Sequence, residues 1–253
     1  MKKLTTLFVM LFLCSFIQAQ NPSAQRTSQT FLFVHGAWGG GWEYKKVDSL
    51  FAAQGDKAYH PTLTGLGERV HLANADINLS THITDIVNVM RFEDLHNVIL
   101  VGHSYGGMVI SGVAEQVPDR IAKLIYLDAF VPNDGESLLS ARGETEATSS
   151  IKPHIKEGFV SYFFGKTNPN PPTDVSQPLK TFTEPLSIKN PLVKDIPTFF
   201  ILMAPKGDAT KANFAPFANR AKERGWQVLQ MTGNHYPMRN QPEEFIKILN
   251  LCK

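Results

Sequence analysis

Cysteine is almost missing from this chain: of 253 residues only Cys14 and Cys252 are cysteine. Cys14 lies in an N-terminal stretch with the look of a leader, so the mature chain is expected to hold one thiol and no internal disulfide. Its stability must then come from a packed core. Charge of one sign is also missing, because 25 basic residues meet 23 acidic ones. Removing residues 1–19 takes away two lysines and no acid, which leaves a neutral chain. That balance argues against nucleic-acid or anionic-membrane partners. No apolar run reaches the roughly 20 residues of a membrane span. Internal repeats, low-complexity segments, metal-ligand spacing and a dinucleotide fingerprint are absent as well, so neither a metal nor a cofactor is expected.

The longest apolar run is Leu4 to Phe16, preceded by Lys2 and Lys3 and followed by Ile17-Gln18-Ala19. A basic start, a short apolar core and a small residue make a secretory signal peptide, with cleavage expected after Ala19. The mature protein is therefore expected to be secreted or periplasmic, without a membrane anchor. Residues 20–30 form a polar lead-in.

From residue 31 onward, short apolar runs alternate with amphipathic stretches. Phe31–Val34, Ala58–His60, Val98–Val101, Leu124–Leu127, Thr198–Met203 and Val228–Met231 are the expected strands. Helical periodicity covers Trp42–Gln54, Thr81–Phe92, Met108–Glu115, Lys211–Arg224 and Glu243–Leu251. Such alternation predicts an α/β fold, a mostly parallel sheet with helices on both faces. Between Val131 and Pro197 the pattern breaks, and 9 of the 16 prolines fall there. Proline lacks the donor a sheet interior needs, so this stretch is expected to be an inserted cap. Its aromatic cluster Phe159, Tyr162, Phe163 and Phe164 either lines a pocket with Trp38 and Tyr236 or gives the cap its own small core.

One motif carries chemistry. Gly102-His103-Ser104-Tyr105-Gly106 lies between an expected strand and an expected helix, where GxSxG holds a serine on a turn too sharp for neighbouring side chains. A serine hydroxyl needs a base, and the base needs a carboxylate to hold its tautomer. On such an elbow the acid and then the histidine follow the serine in the chain. Only His154 and His235 follow an acid that itself follows Ser104. His154 falls in the cap, whereas His235 follows the last strand, so His235 is the expected base. Asp208 and Asp128 compete for the acid. Asp208, in a glycine-containing loop one strand before His235, is favoured, and Asp128, at the end of an earlier strand, is the alternative. Oxyanion donors are expected from the N–H groups of Tyr105 and of Ala37, in the glycine-rich loop from His35 to Trp42. His35 itself is expected to hydrogen-bond within that loop. The loop lacks the Gly-Lys-Ser/Thr ending of a phosphate cradle.

Four blocks carry a family resemblance: Phe33 to Trp42, Leu63 to Arg69 with Thr81-His82-Ile83, Val101 to Gly107, and Gly233-Asn234-His235. On them the chain resembles the α/β-hydrolase superfamily, in the branch of plant methylesterases, salicylate-binding esterases and hydroxynitrile lyases. The resemblance implies an α/β-hydrolase fold, maps Ser104, Asp208 and His235 onto the family's triad, and places Ala37 with Tyr105 in its oxyanion hole. Lyase members carry a lysine directly after the catalytic histidine, whereas this chain has Tyr236, which favours ester hydrolysis. The expected activity is that of a serine carboxylesterase on a small-molecule ester. The alternatives are lyase or acyltransferase chemistry on the same triad, or a slow-turnover small-molecule binding protein.

Overall fold

The computed structural model describes residues 28–253. The expected leader at residues 1–19, and all of the lead-in before Ser28, lie outside the described residues. Six parallel strands form the main sheet: β1 (Thr30–Val34), β2 (Lys57–Tyr59), β3 (Val98–His103), β4 (Ile121–Leu127), β8 (Thr198–Ala204) and β9 (Gln227–Thr232). They lie in the order β2-β1-β3-β4-β8-β9, so the chain starts in the middle, fills one edge, then crosses to build the other. All six occupy the expected runs. β3 and β8 are buried at every position. These two strands are covered on both faces, which is why they read as continuous apolar runs rather than alternating ones.

Side-chain alternation divides the core in two. Leu32, Val34, Leu100, Tyr126 and Phe200 point to one face, where α2 (Leu79–Phe92), α3 (Gly106–Gln116) and α6 (Ala215–Glu223) cover the sheet. Phe31, Phe33, Ile99, Val101, Ile125 and Ile201 point to the other, against α1 (Lys45–Ala53) and α8 (Pro242–Asn250). Helix α2 starts on a capping box, in which Asn78 accepts from the Thr81 N–H and Thr81 returns a bond to the Asn78 N–H. Cys252, the one cysteine among the described residues, is a free thiol buried against the second face.

Between β4 and β8 the chain leaves the sheet. It forms two one-turn helices, α4 (Leu138–Ala141) and α5 (Lys180–Thr183), and a second, antiparallel sheet of β5 (Ile155–Lys156), β6 (Phe159–Val160) and β7 (Gln177–Pro178). Each of these strands has two residues, and Pro178 sits on an edge strand where no ladder donor is required. After β8 and β9 the short helix α7 (Pro237–Asn240) leads into α8. No helix among the described residues is long and apolar enough to cross a membrane.

Candidate active site

Ser104 stands at the carboxyl end of β3, with α3 beginning two residues later. Its φ is 54°, in the left-handed region that a β-carbon disfavours. Backbone bonds hold it there: the Ser104 N–H donates to the Leu127 carbonyl at 3.2 Å, and its own carbonyl accepts from Gly107 and Phe130, both at 3.1 Å. The glycine in the motif has a steric reason, since a Cβ on Gly106 would lie 2.5 Å from the Val34 carbonyl oxygen of β1. The glycine-rich loop after β1 also packs tightly on the elbow, because a Cβ on Gly36 would stand 2.9 Å from His103 Nδ1 and 3.2 Å from the Ser104 Cβ. Ser104, Ala37, Tyr105 and His235 thus line one cavity of about 540 Å³, beyond the carboxyl ends of the strands. Within the described residues no backbone hydrogen bond takes up the N–H of Ala37 or of Tyr105.

His235 follows β9, and its Nδ1–H donates to Asp128 Oδ2 at 2.6 Å. That bond leaves Nε2 as the unprotonated nitrogen of the neutral ring. Phe214 stacks on the ring at 5.0 Å between centroids and 7° between planes, and His103 lies against it at 4.4 Å. His103 also donates its Nε2–H to the His235 carbonyl at 2.7 Å. Burial holds the His103 ring well below its ordinary pKa, so it stays neutral and keeps a donor for that carbonyl.

The carboxylate on His235 is therefore Asp128, whereas the sequence favours Asp208. Asp128 is 4% exposed at the end of β4, with φ 44°, and its Oδ1 accepts the Met203 N–H of β8 at 3.1 Å. Asp208 lies after β8, between two short 3-10 turns. There it accepts from the Thr210 N–H at 3.0 Å and from its hydroxyl at 2.6 Å, and it pairs with Lys211 at 3.2 Å. These bonds, Thr210's first, hold its carboxyl below the usual range. It makes no contact with His235 and serves to close its own turn.

Of the residues expected around the cavity, Trp38, Phe163 and Tyr236 line it, and so does Phe164. Phe159 and Tyr162 do not. Phe159 belongs to β6, and Tyr162 packs edge-on against Trp38 at 5.9 Å. The far walls include Leu138, Leu139, Ile151 and Phe182, from a cap whose contacts the sequence pattern does not announce. Among these walls Arg142 pairs with Glu144 at 2.9 Å. His154, the other histidine weighed as a base, stacks on Phe163 in the cap at 4.3 Å. His35 bonds within its surroundings as expected, through Nδ1 to the Gly36 carbonyl at 2.7 Å and through Nε2 from the Leu63 N–H at 3.1 Å. Burial lowers its pKa to about 4.

Glu43, in the 3-10 turn after the glycine-rich loop, is a buried acid that the sequence reading did not single out. Burial raises its carboxyl to about 8, and the Arg239 guanidinium 3.6 Å away offsets only part of that. In the unfolded chain the same carboxyl ionises near 4.5. Between these values the folded protein keeps a proton that the unfolded chain has lost, so stability falls as pH rises from about 4.5 to about 8. Glu43→Gln removes the titration. The variant is expected to gain at least about 1 kcal/mol on wild type between pH 5 and pH 8. Urea midpoints at the two pH values measure this, and a difference that ignores pH would contradict a buried, protonated carboxyl.

Among the described residues no cluster of His, Cys, Asp or Glu is set to hold a metal ion. The family model described as "Alpha/beta hydrolase family" matches residues 31–248. Carbendazim hydrolyzing esterase of Nocardioides sp. is 43% identical over 133 residues, 53% of this chain and 53% of its own length. Methylesterase 2 of Arabidopsis thaliana is 32% identical over 160 residues, 58% of this chain and 56% of its own. The matches thus span only about half the length of these curated relatives. Among solved structures, an extracellular alpha/beta-hydrolase from a Paenibacillus species superposes with a TM-score of 0.74 at 22% identity, covering 88% of this chain and 98% of that one. At that identity the likeness is one of fold.

Proposed function

Because the chain belongs to the alpha/beta hydrolase family, we propose that it is a serine carboxylesterase acting on a small-molecule ester through an acyl-enzyme. The observation that carries this reading is Ser104 on its strained elbow, opening into the same cavity as a histidine held by a buried aspartate. His235 Nε2 takes the Ser104 proton as Oγ attacks the ester carbonyl. Asp128 keeps the imidazole in the required tautomer and stabilises its charged form. The N–H groups of Ala37 and Tyr105 receive the oxyanion. His235 then protonates the departing alcohol, and water, activated by the same histidine, releases the acid. The esterase names of these relatives, matched over about half their length, support the reaction class. Export rests on Lys2, Lys3 and the apolar run after them.

Acid quenching during turnover of a nitrophenyl ester tests the reading: the acyl group is expected on the peptide containing Ser104. Acyl transfer to another residue, or none under a clear burst of nitrophenol, would remove it.

The cavity adds an expectation about substrate size. Its aromatic and leucine walls favour apolar acyl or alcohol groups, and about 540 Å³ falls within the usual range for small-molecule sites. Each methylene carried from water into such walls is worth about 0.8 kcal/mol, or about fourfold in kcat/KM. A nitrophenyl ester series from acetate to hexanoate should climb by about that step until the cavity is full. A flat series would mean that the acyl group binds elsewhere.

A further inference from the structure

We propose that the cap segment Gln177–Phe182 is the positioning device for both halves of the oxyanion hole, so that the cap governs the rate of the chemistry as well as the shape of the pocket. The inference rests on the assignment of Ala37 and Tyr105 as oxyanion donors. Trp38, directly after Ala37, sits at φ 64°, a backbone state that persists only where its surroundings over-determine it. Every hydrogen-bonding group it has goes to the cap. Its N–H donates to Gln177 Oε1 at 2.8 Å, its carbonyl accepts from the Val175 N–H at 3.0 Å, and its indole Nε1–H donates to the Val160 carbonyl at 2.8 Å. These bonds fix the peptide that follows Ala37.

Gln177 is fully buried, 139 residues from Trp38 in the chain, so its amide must find partners inside the protein. Its Nε2 donates to the Thr181 hydroxyl at 2.7 Å, and that hydroxyl donates to the Pro178 carbonyl at 2.7 Å. A buried amide with both ends satisfied is a rigid strut. Thr181 is also buried, and so is Tyr105, the second oxyanion residue, together with its phenol. That phenol donates to His82 Nδ1 at 2.8 Å, while His82 Nε2–H donates to the Thr64 carbonyl at 3.0 Å. The next residue, Phe182, packs on both sides of the pair, 5.5 Å from the Trp38 ring and 6.0 Å from the Tyr105 ring. One six-residue piece of cap thus bonds or packs against the residue beside each oxyanion donor or the donor residue itself. Nothing in it reaches the cavity except Phe182.

An oxyanion hole works because its donors are aimed before the charge forms, and small misplacements cost heavily. Gln177→Leu, which keeps the bulk but offers Trp38 no acceptor, is expected to lower kcat by about 10- to 100-fold and to leave KM within about threefold. Thr181→Val is expected to act in the same direction, and it serves as the second variant should Gln177→Leu fail to fold. Sites are counted by titration to completion with a phosphonate, so that kcat refers to folded enzyme. A trifluoromethyl ketone, whose adduct carries the oxyanion, should lose affinity by the same factor as kcat, while the carboxylic acid product binds as before. Two results would overturn the proposal: kcat per titrated site within twofold of wild type in both variants, or a fall in kcat with ketone affinity unchanged. A wild-type enzyme that the phosphonate does not label would instead remove the serine reading on which the proposal stands.

Discussion

Replacing Asp128 by asparagine is expected to lower kcat by about ten-thousandfold with little change in fold, while Asp208→Asn stays within twofold of wild type. An amide at position 128 offers the His235 ring a donor where it now meets an acceptor at 2.6 Å. The ring then places its proton on Nε2, and the nitrogen proposed to take the Ser104 proton can no longer act as a base. The loss comes from the tautomer, so it should be confined to kcat and should not be repaired by raising substrate. Oδ1 of Asp128 also accepts the Met203 N–H. An asparagine can keep that bond through its carbonyl, which is why the fold should survive. Asp208 faces Thr210 and Lys211, and its loss touches only the turn it caps. Steady-state kinetics on the two variants side by side decides the matter. A large loss in Asp208→Asn with a small one in Asp128→Asn would reverse the assignment.

The reason that order along the chain misleads here is geometric. Asp208 follows the strand next to the one that precedes His235, in a glycine-containing loop, so proximity favours it. What places a carboxylate on the imidazole is a backbone conformation that no residue pattern announces. At the end of β4 the chain turns through φ 44° at Asp128, and the register pairing Leu127 with Ile201 carries the side chain over to the Met203 N–H. The loop after β8 curls instead into two short 3-10 turns, with Lys206 at φ 51°, and leaves Asp208 on the outside with its side chain 38% exposed. The strands, by contrast, were legible because burial on both faces imposes runs such as Val98–Val101 and Thr198–Met203. The elbow was legible because close backbone approach demands Gly106 at a fixed offset from Ser104.

The cap was the least legible part, for a related reason. Its strands have two residues each, too few for any period, and much of its order comes from single side chains bonded to distant backbone, Gln177 to Trp38 above all. The aromatic cluster from Phe159 to Phe164 showed that something apolar would be covered. It did not show which rings would face the cavity: Phe163 and Phe164 line it, whereas Tyr162 beside them and Phe159 do not. Gln177 carried no signal beyond being a polar residue in a proline-rich stretch.

Ser104→Ala is expected to show the largest effect of all, a fall in kcat of about a millionfold, together with complete loss of phosphonate labelling. The two losses have one cause, removal of the only oxygen that can form the covalent bond. The remainder above the uncatalysed rate should reflect donors that stay in place, the N–H groups of Ala37 and Tyr105, which still stabilise charge on a carbonyl attacked by water. That residual activity gives the variant its diagnostic value. If Ser104→Ala is combined with Asp128→Asn, the second change should cost almost nothing further, because an imidazole in the wrong tautomer matters little once there is no hydroxyl to deprotonate. Additive losses in the double variant would mean that His235 and Asp128 activate water directly. The backbone strain at Ser104 supplies an independent check. An alanine at φ 54° keeps the same cost, so urea midpoints of Ser104→Ala and wild type should agree closely, whereas Ser104→Gly relieves the elbow and is expected to be more stable by about 1 kcal/mol. A glycine variant no more stable than wild type would show that the left-handed turn at Ser104 carries no such cost.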